Sequence, residues 1–491
     1  MILLLILVIA FVVRLISLNQ SFWLDEAIGA LVVKNQTFGQ ILTQFPKGDN
    51  HPPLYYLSLK AWTNMFGYSE VAIRMLSVLV GTLTIFFVYK ICDLYIQNKA
   101  KVKEKVKSNL LSFPYIVSIL MAFAPLHVYY SQEARMYVFT GLFSSMIVYF
   151  FLKTLEKKAN FINWFFYSVS IIFLFFSDYL PVFLFPVIFI YAVLSKKDKN
   201  WWVKFILSHI PLGFLGLMWL PTFLYQSNAG KILLQVLPTW KMVAGGATLK
   251  QLSLVWVKFI VGRVSFDNFN LYLSLVAVFS IPFIISLVKS FKEFKKISIH
   301  VIWLILPIIL VFLSSFLLPA FIYFRFIFVL PAFYILVSYG ISVFKEKRVK
   351  IALILSILTI SIFNLSLYFT NTKFQRENWR EATKYIESIV KENELIVFAN
   401  PEPFAPYQWY AKDLSNAFGA TNNIAAKYEE TYRNLEPNLK NKSGVYYFEY
   451  LQEIMDPQKI TLSIISSEGF SQREVYSSFN GVGNIIYLSR Q

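Results

Sequence analysis

The sequence predicts a mainly α-helical polytopic membrane protein with a small external α/β domain at its C-terminal end. Of the 491 residues, 57% are hydrophobic and only 15% are charged, whereas about a quarter of the residues of a soluble domain are usually charged. Apolar runs of about 20 residues recur along the chain, and each is long enough to cross the hydrocarbon core as a helix. Beyond residue 370 the composition becomes that of a soluble protein, with 13 basic and 15 acidic residues.

Hydropathy predicts eleven membrane spans, with ends defined to within a few residues. The spans are 1–18, 70–96, 109–126, 136–152, 161–177, 179–195, 205–225, 270–288, 299–318, 324–344 and 350–369. The first lacks a basic n-region and a small-residue cleavage site, which predicts a retained helix rather than a signal peptide. Two long loops separate spans, at 19–69 and 226–269, and the first contains amphipathic helices suited to the membrane surface.

Five loops are basic and together carry 20 Lys or Arg residues. All five fall on one side of the membrane if the spans alternate, and the positive-inside rule places that side in the cytoplasm. The N-terminus is then cytoplasmic, and both long loops and the tail are external. The net charge of +18 is therefore largely a signal of topology in a multi-pass protein of the plasma membrane, and no nucleic-acid partner is needed to explain it.

The predicted domains are a membrane domain over residues 1–369 and an external α/β domain over residues 370–491. In the second, the segments "ELIVFANP", "GVYYFEYL", "KITLSII" and "NIIYLS" predict strands, and "RENWREATKYIESIVKE" predicts a helix. Cys92 is the single cysteine of the chain, so no disulfide within the chain stabilises either domain.

Acidic residues gather on the predicted external side of the membrane domain. Only 13 acidic residues precede residue 370, and seven of them map to external loops or external helix ends: Asp25, Glu26, Asp49, Glu70, Glu133, Asp178 and Asp267. A carboxylate near lipid is costly and is by default a functional hypothesis. This one-sided distribution therefore indicates a site on the external face.

Asp25 and Glu26 follow the first span in "WLDEA". Acids in a first helical turn complement the helix dipole, which would explain them without chemistry. Alternatively, a carboxylate in a partly desolvated place has a raised pKa that suits proton abstraction from a hydroxyl, or it holds a metal. Both interpretations remain open from these residues alone.

The motif "GDNHPPLYY" places Asp49 and His51 before two prolines and two tyrosines. His51 is either a surface histidine or, like Asp49, faces the cavity that holds Asp25. Tyr55 and Tyr56 would supply aromatic contacts to a sugar ring. A divalent metal is possible, with Glu26, Asp49 and His51 as candidate ligands, but one Asp/His pair is weak evidence for one.

The motif "APLHVYYSQEARMY" carries Gln132, Glu133 and Arg135 at the external ends of the third and fourth spans. Arg14 lies inside the first span, and Arg74 lies at the outer end of the second. An arginine so close to lipid needs an anionic partner. A phosphate fits because the guanidinium binds it bidentately, and a structural carboxylate such as Glu133 fits equally well.

Five segments in order, "RLISLNQSFWLDEA", "HPPLYYLSLKAW", "RMLSVLVG", "PLHVYYSQEARMY" and "FRFIFVLPA", resemble the membrane glycosyltransferases of the GT-C class. The nearest group is the bacterial and archaeal branch related to protein O-mannosyltransferases and to the aminoarabinose transferases that modify lipid A. "ENWREATKYI" resembles the start of that branch's soluble domain. The similarity covers residues 10–140 well, 320–390 moderately, and the middle only by hydropathy.

The resemblance implies transfer of a sugar from a polyprenyl-phosphate donor at the external membrane face. Asp25 corresponds to the base that deprotonates the acceptor, and Glu26 supports it or helps to hold a metal. Arg74 corresponds to a contact of the donor phosphate, and the other arginines near lipid, Arg14 and Arg135, are further candidate contacts of that phosphate. The candidate substrate contacts are His51, Tyr55, Tyr56, Gln132, Glu133 and Asp178.

The chain departs from the resembling enzymes at two places. Asn50 and His51 stand where the aminoarabinose transferases have an acid and a lysine, and Asp178 with Tyr179 stands where many relatives have His-Tyr. These differences place the metal site and the substrate of those relatives in doubt for this chain. The sugar, the acceptor (protein, lipid or envelope glycan) and the stereochemistry stay open, although one base and one phosphate leaving group suffice for a single inverting displacement.

Two other classes of function compete with a glycosyltransferase. A transporter or flippase would also carry charges within the membrane, but the halves of the chain show no repeat, and the acids gather at one face rather than at the midplane. A non-catalytic assembly protein would leave Asp25, His51 and Arg74 without a role. A metal-dependent oligosaccharyltransferase is a variant of the first interpretation. The sequence contains no P-loop, dinucleotide fingerprint, HExxH or GxSxG motif.

Overall fold

The computed structural model describes residues 1–100 and 110–490. Most of the predicted basic loop "NKAKVKEKVKSN" therefore lies outside the described residues. The helices of the described part are α1 Ile2–Leu15, α2 Leu24–Asn35, α3 Phe38–Thr43, α4 Leu54–Phe66, α5 Glu70–Ala100, α6 Phe113–Ala122, α7 Pro125–Ser131, α8 Tyr137–Thr154, α9 Phe161–Ser177, α10 Leu184–Leu194, α11 Lys199–Val236, α12 Lys241–Ala244, α13 Leu249–Val261, α14 Phe269–Phe291, α15 Phe294–Ser314, α16 Leu330–Val343, α17 Lys347–Thr370, α18 Trp379–Ile389, α19 Ala405–Tyr410, α20 Tyr428–Leu439, α21 Gln452–Met455 and α22 Ile460–Ser467.

The strands are β1 Glu394–Phe398, β2 Ala417–Gly419, β3 Gly444–Phe448, β4 Phe470–Tyr476 and β5 Ile485–Arg490. Short 3-10 helices lie at Phe45–Lys47, Leu180–Phe183, Pro238–Trp240, Tyr323–Val329 and Thr372–Phe374.

Helices long and apolar enough to cross a membrane number seven in the described part of the chain, or eight if the bent pair α6 and α7 is one span. Three shorter apolar helices are Ile2–Leu15, Phe161–Ser177 and Leu180–Leu194. Each of the eleven predicted spans coincides with one of these helices or with the bent pair. The prediction of a helical multi-pass membrane protein is therefore confirmed.

The chain divides into two compact units. Unit 1 comprises Met1–Leu18, Thr37–Gln226 and Ala244–Thr370, and unit 2 comprises Asn19–Gln36, Ser227–Val243 and Asn371–Gln491. The unit that contains the C-terminal tail thus also includes α2, which the sequence assigned to an external loop of the membrane domain. The predicted boundary at residues 369 and 370 stays a prediction.

The segment Tyr323–Val343, which ends in α16, is the most enclosed of the long apolar helices of unit 1, with 89% of its apolar window buried. Gly340 on α16 lies so close to α14 that a Cβ would stand 1.8 Å from the backbone oxygen of Ser286. The two helices therefore pack backbone against backbone at this position, and a glycine is required there.

A bend of 60° separates α6 from α7. Pro125 is the first residue of α7, where its missing N–H costs no hydrogen bond. A break of this kind removes the partners that the carbonyls at the end of α6 would have in a continuous helix. Donors on other side chains of unit 1 replace some of these lost hydrogen bonds.

Unit 2 contains a mixed five-stranded sheet of order β2-β1-β3-β5-β4. β1 pairs in parallel with β2 and β3, whereas β5 pairs antiparallel with β3 and β4. Alternate residues of β1 and β3 enter two separate apolar clusters. One includes Trp379 and Ile386 of α18, and the other includes Leu435 of α20 and Ile464 of α22. The sheet is therefore covered by helices on both faces, as the continuous apolar runs of its inner strands require.

Three of the four predicted strands and the predicted helix are found, as β1, β3, β5 and α18. The prediction of a strand at "KITLSII" is wrong, because this segment forms α22. The Asp456 carboxylate accepts the backbone N–H groups of Ile460 and Thr461 at 2.8 and 2.9 Å. This cap starts a helix in a segment whose short apolar run has no period that distinguishes a helix from a strand.

Candidate active site

Asp25 and Glu26 occupy the first turn of α2 in unit 2. Glu26 is fully buried, and Arg376 Nε lies 3.8 Å from its Oε2. A buried carboxylate needs a compensating charge, and this ion pair supplies one. Asp25 is only partly buried. The two adjacent acids therefore differ in setting, and Asp25 is the more accessible of the two.

The segment around Asp49 forms a continuous line of polar contacts in unit 1. His51 Nδ1–H donates to Asp49 Oδ1 at 2.7 Å, the Tyr56 hydroxyl donates to Asp49 Oδ2 at 3.3 Å, and Arg135 Nη1 donates to the Tyr56 oxygen at 3.1 Å. Burial acts to raise the pKa of Asp49, but the charges of His51 and Arg135 and the hydrogen bonds from His51 outweigh it and lower that pKa. Asp49 is therefore an ionised anchor that orients the His51 ring.

Gln226, which the sequence analysis did not identify, holds the same loop from α11. Its Nε2 lies 3.1 Å from the Pro46 oxygen, 2.8 Å from that of Asp49 and 3.2 Å from that of His51. The Tyr179 hydroxyl donates to Gln226 Oε1 at 2.6 Å. In the sequence, the available signal was a polar amide side chain within a long apolar helix, because such a group needs hydrogen-bond partners when it is buried.

Asp178, a predicted substrate contact, precedes the 3-10 helix Leu180–Phe183. Its Oδ1 accepts the backbone N–H of Leu180 at 3.0 Å, which is the role of a cap. Tyr55 is fully buried, and its ring meets the rings of Tyr56 and Phe139 edge to face. The geometry of both residues favours packing and capping, and their predicted contacts with substrate stay predictions.

Arg14 is fully buried in α1 and faces the bend between α6 and α7. Its Nε donates to Ser131 Oγ at 3.1 Å, and its Nη atoms donate to the carbonyl oxygens of Ala10, Ala122 and Met121 and to His127 Nδ1. A guanidinium has five N–H donors, and these contacts occupy all of them. The geometry therefore favours a structural role for Arg14 and leaves it no donor for a phosphate.

Arg74 and Gln132 close the C-terminal end of α1. Gln132 Nε2 lies 2.9 and 2.7 Å from the carbonyl oxygens of Arg14 and Ile16, and Arg74 Nη1 donates to the Leu18 oxygen at 2.9 Å. Both side chains are buried, with 2% of Gln132 and 1% of Arg74 exposed. They satisfy carbonyls that a helix end leaves without partners, and the predicted phosphate role of Arg74 stays a prediction.

Two further basic residues, which the sequence analysis did not identify, are Lys258 in the last turn of α13 and Arg263 just after this helix. The Arg263 guanidinium lies 4.8 Å from the centre of the Tyr129 ring and interacts with Glu133. Arg263 is exposed, unlike Arg14, Arg74 and Arg135, each of which has less than 5% of its surface exposed. The segment "KFIVGRV" contains both cations and could have identified them in the sequence. The interaction of Arg263 with Glu133 depends on the tertiary fold and cannot be seen in that segment.

Lys258 lies beside Arg263 and is buried. Its Nζ donates to the carbonyl oxygen of Val264 at 3.1 Å and to the Tyr272 hydroxyl at 3.3 Å. Burial, with a smaller contribution from the charge of Arg263, lowers the pKa of Lys258 to about 8. The two cations together make this end of α13 a strongly positive part of unit 1.

No group of three or more His, Cys, Asp or Glu side chains that could hold a metal occurs among residues 1–100 and 110–490. Of the predicted ligands, Asp49 and His51 bond to each other, and Glu26 pairs with Arg376. These residues do not form a ligand set of the usual size. We therefore derive no step through a metal.

A stretch of the chain that contains several of these residues matches a known protein family. Residues 50–225 match the family model described as dolichyl-phosphate-mannose-protein mannosyltransferase. This stretch includes His51, Tyr56, Arg74, Arg135 and Asp178. No curated protein matches the sequence of the chain.

Solved structures share the fold of nearly the whole chain. ArnT from Cupriavidus metallidurans, in its apo form and bound to undecaprenyl phosphate, has a TM-score of 0.54 at 10% identity and covers 99% of this chain and 97% of that chain. The archaeal oligosaccharyltransferase AglB from Archaeoglobus fulgidus, in complex with an inhibitory peptide and a dolichol-phosphate, has a TM-score of 0.50 at 12% identity and covers 100% of this chain and 74% of that chain. The predicted GT-C fold, with a small sheet near the C-terminus, is confirmed, and so is the predicted resemblance to GT-C glycosyltransferases.

Proposed function

We propose that this protein is a membrane glycosyltransferase that moves a sugar from a polyprenyl-phosphate-linked donor to a hydroxyl acceptor. The observation that carries the proposal is the match of residues 50–225 to the mannosyltransferase family model, made on a chain whose whole length adopts the GT-C fold. ArnT binds undecaprenyl phosphate, and AglB binds a dolichol-phosphate. A lipid-linked donor therefore agrees with both comparisons, and a transporter is the less favoured alternative.

Asp25 acts as the general base in this proposal. The acceptor hydroxyl gives its proton to the Asp25 carboxylate while its oxygen forms a bond to the anomeric carbon of the sugar. The bond between that carbon and the phosphate oxygen breaks, and its electron pair leaves with the polyprenyl phosphate. This single displacement inverts the anomeric centre, and it needs only positioned reactants and stabilisation of the departing charge.

Arg263 is the residue of unit 1 that we propose as a contact of the donor phosphate, together with the predicted Arg74 and Arg135. A phosphate ligand requires accessible N–H donors, and an arginine provides them in a bidentate geometry. Arg263 is exposed and has Lys258 beside it. Arg14, whose donors are all occupied within the protein, is left out of this set.

In this proposal, the hydrogen bonds that connect Arg135, Tyr56, Asp49 and His51 position the reacting groups. Asp49 holds the His51 ring through its Nδ1–H, so that Nε2 is the nitrogen left for a hydrogen bond with a substrate oxygen. His51 retains 19% of its side-chain surface exposed. We propose that it contacts the donor or the acceptor, and that Gln132 and Glu133 shape the same region from α7 and the turn that follows it.

The orientation follows from the charges of the loops. We propose that the N-terminus is cytoplasmic and that residues 370–491 form a domain on the external face, where nucleotide sugars are absent and a lipid carrier is the available donor. The basic loops are then cytoplasmic, in accord with the positive-inside rule. Polyprenyl phosphate, membrane lipid and a hydroxyl-bearing acceptor are the partners.

Native mass spectrometry of the purified protein tests the proposal. We expect a polyprenyl phosphate or its glycosylated form to co-purify with the wild type and to be depleted in Arg263→Ala, whereas Lys231→Ala, a change of a cation outside the proposed site, retains it. The mass of the lipid would identify the sugar. A bound small solute in place of any lipid phosphate would contradict the proposal and favour transport.

A further inference from the structure

A cavity of about 650 Å³ opens at one end of unit 1. It lies where the C-terminal ends of α5, α8 and α10 meet, and its lining includes Tyr95, Leu152 and Tyr191, one from each of these helices. Cavities that hold a small molecule usually measure roughly 300–1,000 Å³, so this one is large enough for a ligand. The proposed sugar transfer gives it no task.

The cavity and the proposed donor-phosphate contacts Arg74 and Arg135 lie at opposite ends of the same helices. Leu94 of the cavity lining follows Arg74 within the continuous helix α5, and residues 74 to 94 correspond to a rise of about 30 Å. Arg135 likewise stands just before α8, whereas Leu152 stands near the end of that helix. A distance of about 30 Å is the thickness of the hydrocarbon core. The cavity therefore opens at the other boundary of the membrane.

The rim of the cavity is positively charged. Lys157 and Lys158, in the turn that follows α8, belong to the lining and are exposed. Glu156 also belongs to it, but the Glu156 carboxylate accepts a hydrogen bond from Lys153 Nζ at 2.9 Å. The charge of this acid is thus matched by a neighbour, and the two lysines of the rim together suit an anionic ligand.

The rest of the lining is largely apolar. Leu94 is buried in α5, and Leu152 and Leu155 come from the end of α8. The Tyr95 hydroxyl and Nε2 of the buried His300 of α15 form a hydrogen bond of 3.0 Å, which holds the Tyr95 ring against the cavity. Apolar walls beside a cationic rim match a molecule that has an anionic head and a hydrocarbon chain.

The end of α8 that contributes to the cavity is fixed by side chains from and just before α11. Trp201 Nε1 donates to the carbonyl oxygen of Thr154 at 3.0 Å, and Lys197 Nζ donates to that of Leu155 at 2.5 Å. The last carbonyl groups of a helix have no partner within the helix, and these two donors supply one. The turn with the two rim lysines therefore starts from a fixed point, which lowers the cost of ordering it around a ligand.

We propose that this cavity binds one anionic phospholipid, with the lipid phosphate at Lys157 and Lys158 and a hydrocarbon chain against the apolar lining. In the proposed orientation this end of unit 1 is cytoplasmic, and the cytoplasmic leaflet carries anionic lipids that basic cavities between membrane helices attract. The donor of the sugar is a different lipid, because its phosphate belongs at the opposite end of unit 1. The bound phospholipid joins the ends of α5, α8 and α10.

Native mass spectrometry of the full-length protein in a neutral detergent tests the proposal. Phosphatidylglycerol, phosphatidylcholine and inorganic phosphate are added separately to wild type, to the double variant Lys157→Ala/Lys158→Ala and to the control Lys345→Ala/Lys347→Ala, which removes two exposed lysines of another basic loop. We expect wild type and control to bind one phosphatidylglycerol equally well. The affinity of the double variant should be roughly 30-fold lower, because each lysine near an anionic lipid contributes roughly fivefold.

Equal affinity of phosphatidylglycerol for wild type and the double variant would overturn the proposal. Phosphatidylcholine that binds wild type as tightly as phosphatidylglycerol would indicate an ordinary boundary lipid, and inorganic phosphate that binds as tightly would indicate a site for a free anion; either result would also overturn it. In protein as purified, loss of a polyprenyl phosphate from the double variant, with phospholipid retained, would assign the cavity to the donor instead. None of these measurements depends on sugar transfer, so a negative result leaves the proposed function untouched.

Discussion

Replacing Arg14 with methionine should destabilise unit 1 without a specific effect on donor binding. The guanidinium supplies all five of its N–H groups to partners inside the protein, among them the carbonyl oxygens of Met121 and Ala122 at the bend between α6 and α7. Methionine retains much of the apolar stem and removes every donor. The carbonyls that the bend released from helical pairing then lose a partner in a water-free environment.

The magnitude follows from two opposing contributions. A buried acceptor left without its partner costs roughly 1–3 kcal/mol, and breaking a buried charged contact costs roughly 3–5 kcal/mol. Removing the arginine also removes the desolvation penalty of a charge within the membrane, at most about 2.5–3.5 kcal/mol, the value for a helix centre on insertion scales, because Arg14 lies in the last turn of α1. Because several acceptors lose their donor together, we expect the free energy of unfolding to fall by about 3 kcal/mol. This loss corresponds to a fall in melting temperature of about 3–6 °C.

The assay is thermal unfolding of the purified protein in detergent, combined with binding of undecaprenyl phosphate measured by native mass spectrometry. Arg348→Met, which changes an exposed arginine, is the matched control, and Arg14→Lys should be intermediate because an ammonium has three donors. If Arg14→Met melts like wild type but no longer binds the lipid, the structural interpretation is refuted and Arg14 returns to the set of phosphate contacts.

Four further outcomes test the proposals. Asp25→Asn should abolish sugar transfer, measured by mass spectrometry of the acceptor, while leaving lipid binding intact. Arg263→Ala should weaken binding of undecaprenyl phosphate by about tenfold or more, and an unchanged affinity would remove it from the donor site. Because the pKa of Glu377 is raised to about 7, ionising it costs the folded state roughly 3 kcal/mol. Stability of the wild type should therefore fall as the pH rises from about 4.5 to about 7 and then level, and Glu377→Gln should lack this component in thermal unfolding measured across that range. A cysteine at Lys427 should react with an impermeant maleimide on intact cells and one at Lys157 should not, and the reverse pattern would invert the topology.

Hydropathy was sufficient to predict the membrane spans, because a helix in lipid must satisfy its backbone internally and must be apolar on its surface. The strands β1 and β3 were predictable for a similar reason, since both faces are buried and their runs are continuously apolar. β4 was not predicted, because its outward residues such as Gln472 and Glu474 interrupt any apolar pattern. The helix α22 was mistaken for a strand because its cap, Asp456, lies outside the apolar run.

The candidate site was predictable by residue type but not by partner. The resemblance singled out Asp25, His51 and Arg74 from local motifs, whereas the contacts of Arg14 with the bend join residues distant in the chain. Glu377 was present in a recognised motif, yet the hydrogen bond that it accepts from Tyr450 depends on how unit 2 assembles. Such pairings are set by tertiary packing, and neither periodicity nor charge spacing encodes them.

The contacts of Arg14 also bear on how the chain is made. Its partners at the bend stand 107 to 117 positions later in the sequence, so that α1 enters the bilayer during synthesis with a cation whose acceptors are not yet translated. Insertion of that helix is therefore weaker than insertion of the same helix without a charge. Arrival of α6 and α7 removes this penalty and locks the first span in place. Biogenesis of the protein is thereby coupled to its third span.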